Sequence, residues 1–276
     1  MLRPALICVL ASIALASPLA APSDPDGPNF AGPWTRSDPE ARFISPASGA
    51  GPVQDDPAHP HHGHREGVPG QPDESATPWI ADLHNPILKS WVADILRKNA
   101  EQQMAGVEDD TELLHCRPDG VPGVLTRRDN VSLLQSATEV TIVYQIDNQV
   151  RHVYLNVPHS PHPAKSWYGD SVGHFEGDTL VVDTIGLNDL APIDHYGTPH
   201  TDSIHVVERY HVVDGGKSLQ VDFTVDDPAA FNTAWSGIAH YRRSGAGYEE
   251  FICAENNKNI WTGKSYAIPA AEKVDF

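Results

Sequence analysis

Two common nucleotide-binding fingerprints are missing from this 276-residue chain: it holds no GxxxxGK[ST] phosphate loop and no GxGxxG turn. Without those backbone cradles, NTPase and NAD chemistry have no local support. Basic residues are also scarce: 19 Lys and Arg stand against 37 Asp and Glu, a formal net charge of −18 at pH 7. Binding a polyanion takes a basic face, so nucleic acid and anionic membrane surfaces are excluded as expected partners. Cysteine is scarcer still, with three in the whole chain. Past residue 16 no run is apolar enough to cross a bilayer, which takes about 20 such residues, so no stable membrane insertion is expected.

What is present begins with an export pattern. Arg3 supplies a positive n-region, residues 5–16 form a short apolar run, and Ala14-Leu15-Ala16 fits a small-x-small cleavage site. The reading is a signal peptide over 1–16 and a periplasmic or extracellular protein, with an uncleaved anchor as the alternative. Cleavage would remove Cys8 and leave Cys116 and Cys253, which are either a disulfide or two buried thiols.

Three regions follow. Residues 17–84 are rich in Pro, Gly, Asp, Ser and His and lack apolar periodicity, so they read as a flexible leader or a loop wrapped loosely on the core. Within it His59, His61, His62 and His64 form a cluster that would bind metal only weakly, and a solvated loop is the alternative. The remaining 85–276 read as one β domain. It opens with a helix from Asn85 and Pro86 to Met104, whose Leu88, Trp91, Val92, Ile95 and Leu96 share a face. From residue 131 the period becomes two, giving strands at 132–135, 139–146, 149–155, 171–175, 179–185, 203–213, 218–225, 237–243 and 248–253. Tight turn signals join several of them, among them Glu176-Gly177-Asp178. The expected fold is all-β and mainly antiparallel: a lipocalin-like barrel or closed meander with one helix packed on it, or else a sandwich. Two Pro- and His-rich connections, 156–165 and 188–201, are expected at one mouth, where ligands enter.

The segments WYGDSVGHFEGDTLVVDTIG, TPHTDSIHVVERYHVVDGGKSLQVDFTVDDPAAFN and CAENN resemble a large family of secreted bacterial β-rich proteins of unknown function. The likeness runs over 85–276, taking in CRPDGVPG and the closing EKVDF. Where most of that family has GHWEGDTLVVDT, Phe175 replaces the Trp. The resemblance implies an exported β-rich domain and transfers no reaction.

Ionisable residues embedded among aliphatics are the candidate chemistry. Glu208 alternates with Ile204, Val206, Tyr210 and Val212, which makes it an internal acid or base, or half of a buried pair with Arg151 from a neighbouring strand. Asp183 shares a face with Val181 and Ile185, as an internal carboxylate or as a cap at a strand end near the mouth. His174 alternates with Val172, so that it could meet Asp183 as a proton-moving dyad, with Glu208 and Asp183 as the acid/base pair and His174 as relay. His174 as an ordinary core histidine is the alternative. Arg151 or Arg209 would stabilise an anion. His205, His200, Trp167, Tyr168, Glu255 and Asn256 are the candidate ligand contacts. His195, His200, Asp202 and His205 raise a metal question without any recognised ligand spacing, and no cofactor is expected. Two functions follow: an acid–base enzyme (lyase, isomerase or hydrolase) on an apolar or aromatic substrate, or a binding protein that orients the same small molecule without converting it. A metal-dependent protein using the mouth histidines is a third.

Overall fold

A computed structural model describes residues 28–38, 42–63, 76–105, 116–245 and 250–253. Nine strands close into one barrel in sequence order. They are β1 (Gly32–Arg36), β2 (Val131–Gln135), β3 (Glu139–Tyr144), β4 (Gln149–Leu155), β5 (Asp170–Glu176), β6 (Thr179–Ile185), β7 (His205–Val213), β8 (Ser218–Asp226) and β9 (Trp235–Arg243). Closure comes from β1, which pairs antiparallel with both β2 and β9, so neither edge is left open.

An odd number of strands cannot alternate in direction all the way round a closed meander, so one adjacent pair must be parallel. That pair is β4 and β5, matched only from Val153–Leu155 to Ser171–Gly173. A parallel neighbour cannot be reached by a hairpin. The chain therefore runs back along the barrel through 156–169, and Ser166 docks beside Leu187 on the way. The Pro- and His-rich stretch at 156–165 is this return.

Alternation fills the barrel with side chains: Leu133, Ile142, Val153, Leu180, Val182, Val206, Val221 and Phe223 are all at most 1% exposed. Small barrels are packed in this way rather than hollow. Gly237 belongs to the same packing, because a Cβ there would meet the Phe223 ring at 2.5 Å. Gly177 takes φ 59° in the β5–β6 turn, the left-handed conformation that this reversal was expected to need.

The leader boundary at residue 84 moves. Gly32–Arg36 lies inside that stretch but is β1, with Trp34 fully buried under the Arg243 guanidinium at 4.3 Å. Further on, Ile44 bridges Ile238, and Phe43, Val53, Ile80 and Ala81 are buried. These pieces cover the barrel end that carries the β6–β7 and β8–β9 connections. Helix α1 (Ser90–Met104) packs there through Val92, Leu96 and Ala100, while Trp91 and Ile95 lie half exposed. It starts four residues later than Pro86. The Asn85 side chain accepts from Ile87 N at 3.1 Å in a local turn, and Leu88 bridges Phe231, which holds 85–88 off the helix. The expected strand at 248–253 is reduced, among its described residues, to one bridge from Phe251 to Ile146. Cys116 and Cys253 form a disulfide, with Cα atoms 5.5 Å apart. No helix among the described residues is long and apolar enough to cross a membrane.

Candidate functional site

Inside the barrel, four consecutive strands contribute polar residues to a single network, one each from β4, β5 and β6 and two from β7. Arg151 of β4 donates through Nε to Ser171 Oγ (3.0 Å) and through Nη2 to Thr184 Oγ1 (2.8 Å). It also forks over Glu208, with Nη1 to Oε1 at 3.1 Å and Nη2 to Oε2 at 2.5 Å. Tyr210 donates to Glu208 Oε1 at 2.8 Å. Arg151 and Glu208 are 1% and 0% exposed. Burial disfavours the Arg151 charge, but Glu208 together with the Tyr144 and Tyr210 hydroxyls outweighs it and holds the guanidinium well above its ordinary range. The pair expected between neighbouring strands is thus real, but it reaches across the interior from β4 to β7. Of the two roles open to Glu208, it takes the paired one.

Asp183 and His174 do not join it. The run Leu180-Val181-Val182 is buried at all three positions, which hides the phase of the alternation, and the inward polar residue of β6 is Thr184. Asp183 therefore points outward, at 40% side-chain exposure. In β5 the inward positions belong to Ser171 and Gly173, so His174 faces solvent and bonds Glu176 Oε1 at 3.1 Å. Arg209 is on the same outer surface, bonded to Glu176 Oε2 at 2.5 Å, and does not stabilise an internal anion.

Gly169-Asp170-Ser171-Val172-Gly173 also spells GxSxG, a match that reading for period and turns passes over. Ser171 sits within a strand, is 2% exposed, and engages Arg151 and Thr184 through Oγ. A nucleophile elbow needs an exposed Ser on a strand-to-helix turn, and this is neither.

On the outer face Asp183 organises a different group. Its Oδ1 lies 2.8 Å from His205 Nε2 and 2.9 Å from His159 Nε2, and His159 Nδ1 lies 3.1 Å from Asp170 Oδ2. Burial raises the Asp183 pKa, but the two imidazole hydrogen bonds outweigh it and leave the carboxyl below its usual range. His159 comes from the return segment, so sequence reading had no register with which to place it.

The end of this chain, Asp170, lines a cleft of about 410 Å³ in the barrel wall. The cleft exists because the β4–β5 ladder stops at Val153 and Ser171, leaving Gln149–His152 unpaired on that side. Trp167, Tyr168 and Tyr154 are its aromatic walls, Arg151 and Ser171 lie at its base, and Gln149, His152 and Asp170 are its polar lining. Tyr168 stacks on buried Tyr144 (centroids 5.5 Å, 10° between planes) and donates to Gln149 Oε1, which fixes its ring. Burial pushes its phenol well up, so it is a neutral donor. Of the expected ligand contacts, Trp167 and Tyr168 meet here. His205 is on the outer face, and Glu255 and Asn256 lie outside the described residues.

A fourth cluster, under the covering segments, was not anticipated. His61 stacks on Trp79 at 3.5 Å, Trp79 on His195 at 4.9 Å, and Tyr196 donates to Asp55 Oδ1 at 2.8 Å, which also pairs with Arg42. Asp194 accepts from Thr198 Oγ1 (2.7 Å), Thr198 N (3.1 Å) and Tyr196 N (3.0 Å). Burial raises Asp194 to about 6 and pushes His195 down to about 4. The void among these groups is about 10 Å³, at most one water. His200 is buried separately on Thr201 O at 2.9 Å, so the mouth histidines do not converge. Among the described residues no group of three or more His, Cys, Asp or Glu is arranged to hold a metal ion.

No family model matches this chain, and no curated protein is significantly similar to it.

Proposed function

We propose that the protein is an exported small-molecule-binding barrel whose ligand enters the β4–β5 cleft. The observation that carries this reading is the cleft itself: about 410 Å³, with Trp167 and Tyr168 beside hydrogen-bonding groups. Ligand sites are commonly concavities of roughly 300–1,000 Å³ with aromatic walls and few polar anchors. The interior, by contrast, has its charges paired among packed side chains. The leading apolar run and the Cys116–Cys253 bridge support export, since disulfides persist in oxidising compartments. Membership of the family of secreted proteins that the β5–β7 motifs resemble is part of the same proposal.

A catalytic version has one foothold. Asp170 joins the cleft to the His159–Asp183–His205 chain, along which a proton would pass to solvent. Ligand-observed NMR with a small-fragment library tests the binding reading, using the Trp167→Ala variant as the control. Hits that vanish in the variant support it. Hits indifferent to Trp167 contradict it. Conversion of a hit that depends on Asp183 would favour the catalytic version.

A further inference from the structure

The charge balance around the cleft selects a class of ligand. Its basic side chains are already engaged: Arg151 by Glu208, and His152 by Glu139, with Nδ1 and Oε1 2.5 Å apart. Just beyond, Arg127 is held between Asp129 at 2.9 Å and Asp119 at 3.6 Å. Asp170 is different. It is about one-fifth exposed in its side chain and uses Oδ2 for both His159 Nδ1 and Ser160 N (2.8 Å), leaving Oδ1 without a hydrogen bond among the described residues. Trp167 lines the same cleft, partly exposed, with no aromatic or cationic partner among the described residues. An uncommitted carboxylate oxygen and an uncommitted indole lining one cleft are the pairing that recognises an organic cation, by charge and by the ring's negative face. The chain's net charge of −18 would steer such a ligand inward and repel anions.

We infer that the β4–β5 cleft takes a small organic cation, a primary or quaternary ammonium, with Asp170 Oδ1 as its counter-ion and Trp167 as its ring wall. This rests on the cleft reading above and adds the sign of the ligand's charge. Choline and its uncharged isostere, with a tert-butyl group in place of trimethylammonium, are the probes, titrated into the full chain and followed by ¹H–¹⁵N and indole N–H shifts. Choline should shift Trp167 and bind at least about tenfold more tightly than the isostere. In Asp170→Asn, which keeps an acceptor for Ser160 N, that preference should disappear. Equal affinities in the unaltered protein would overturn the inference while leaving the cleft as a binding site. No shift at Trp167 from choline would also overturn it, and fragment hits that still depend on Trp167 would then show the cleft reading surviving alone. A choline preference that persists in Asp170→Asn would overturn the role of Asp170.

Discussion

Arg151 spans from β4 to β7 to clasp Glu208 with both terminal nitrogens, at 3.1 and 2.5 Å, passing two intervening strands. Such a pair is costly to desolvate, yet breaking it is costlier, because one charge stays buried without a partner. Arg151→Met alone, or Glu208→Leu alone, should lose about 3–5 kcal/mol in urea unfolding. The double variant should recover most of that loss. A double variant as unstable as the singles would mean that the network contributes more than the neutralisation of two charges.

Closure by β1 has a direct test. Starting the chain at residue 85, where composition places the domain boundary, removes the strand that seals β2 to β9. That truncation should aggregate or associate through its open edges, whereas the full chain should not. Trp34→Ala, which keeps the strand but empties a fully buried site, should cost about 3–5 kcal/mol in denaturant melts.

The barrel was legible from residue 131 onward because alternation and turn residues repeat there. The expected strand count of nine is matched, but with one different member. Gly32-Pro33-Trp34-Thr35-Arg36 has a single large apolar side chain and a proline, so period-two reading finds nothing in it. Partnership with β2 and β9, which only tertiary structure supplies, makes it a strand. The internal site was half legible. Glu208 stood alone on an aliphatic face, so its phase was clear. Asp183 followed three consecutive buried aliphatics, which give no phase at all. The cleft was invisible, since it comes from the one parallel pair in a closed odd-stranded sheet. Its walls, Trp167 and Tyr168, were picked out only as aromatics.

Acid sensitivity should pass through His195. Its folded pKa of about 4 lies below the ordinary 6.5, so the unfolded chain binds the proton more tightly. Stability from this residue is then complete above 6.5 and is lost as pH falls towards 4. The stability difference between the unaltered protein and His195→Gln should shrink by up to ~3 kcal/mol over that window. Asp194, raised to about 6, has the opposite sign but is common to both proteins and cancels in the difference. A difference that stays flat with pH would contradict the burial of the His195 ring.

The disulfide closes a chain segment 137 residues long, from before β2 to beyond β9. Replacing both Cys116 and Cys253 by Ser should cost about 2–5 kcal/mol, read as a lower urea midpoint. Thiol titration of the unfolded, unreduced protein should find neither residue free.

The most direct test is where a small molecule comes to rest. Crystals soaked in a mixture of small aromatic and ammonium compounds should show density between Gln149–His152 and Trp167–Asp170, with the Arg151–Glu208 pair undisturbed. Density inside the barrel that parts Arg151 from Glu208, with the β4–β5 cleft left to solvent, would contradict the account.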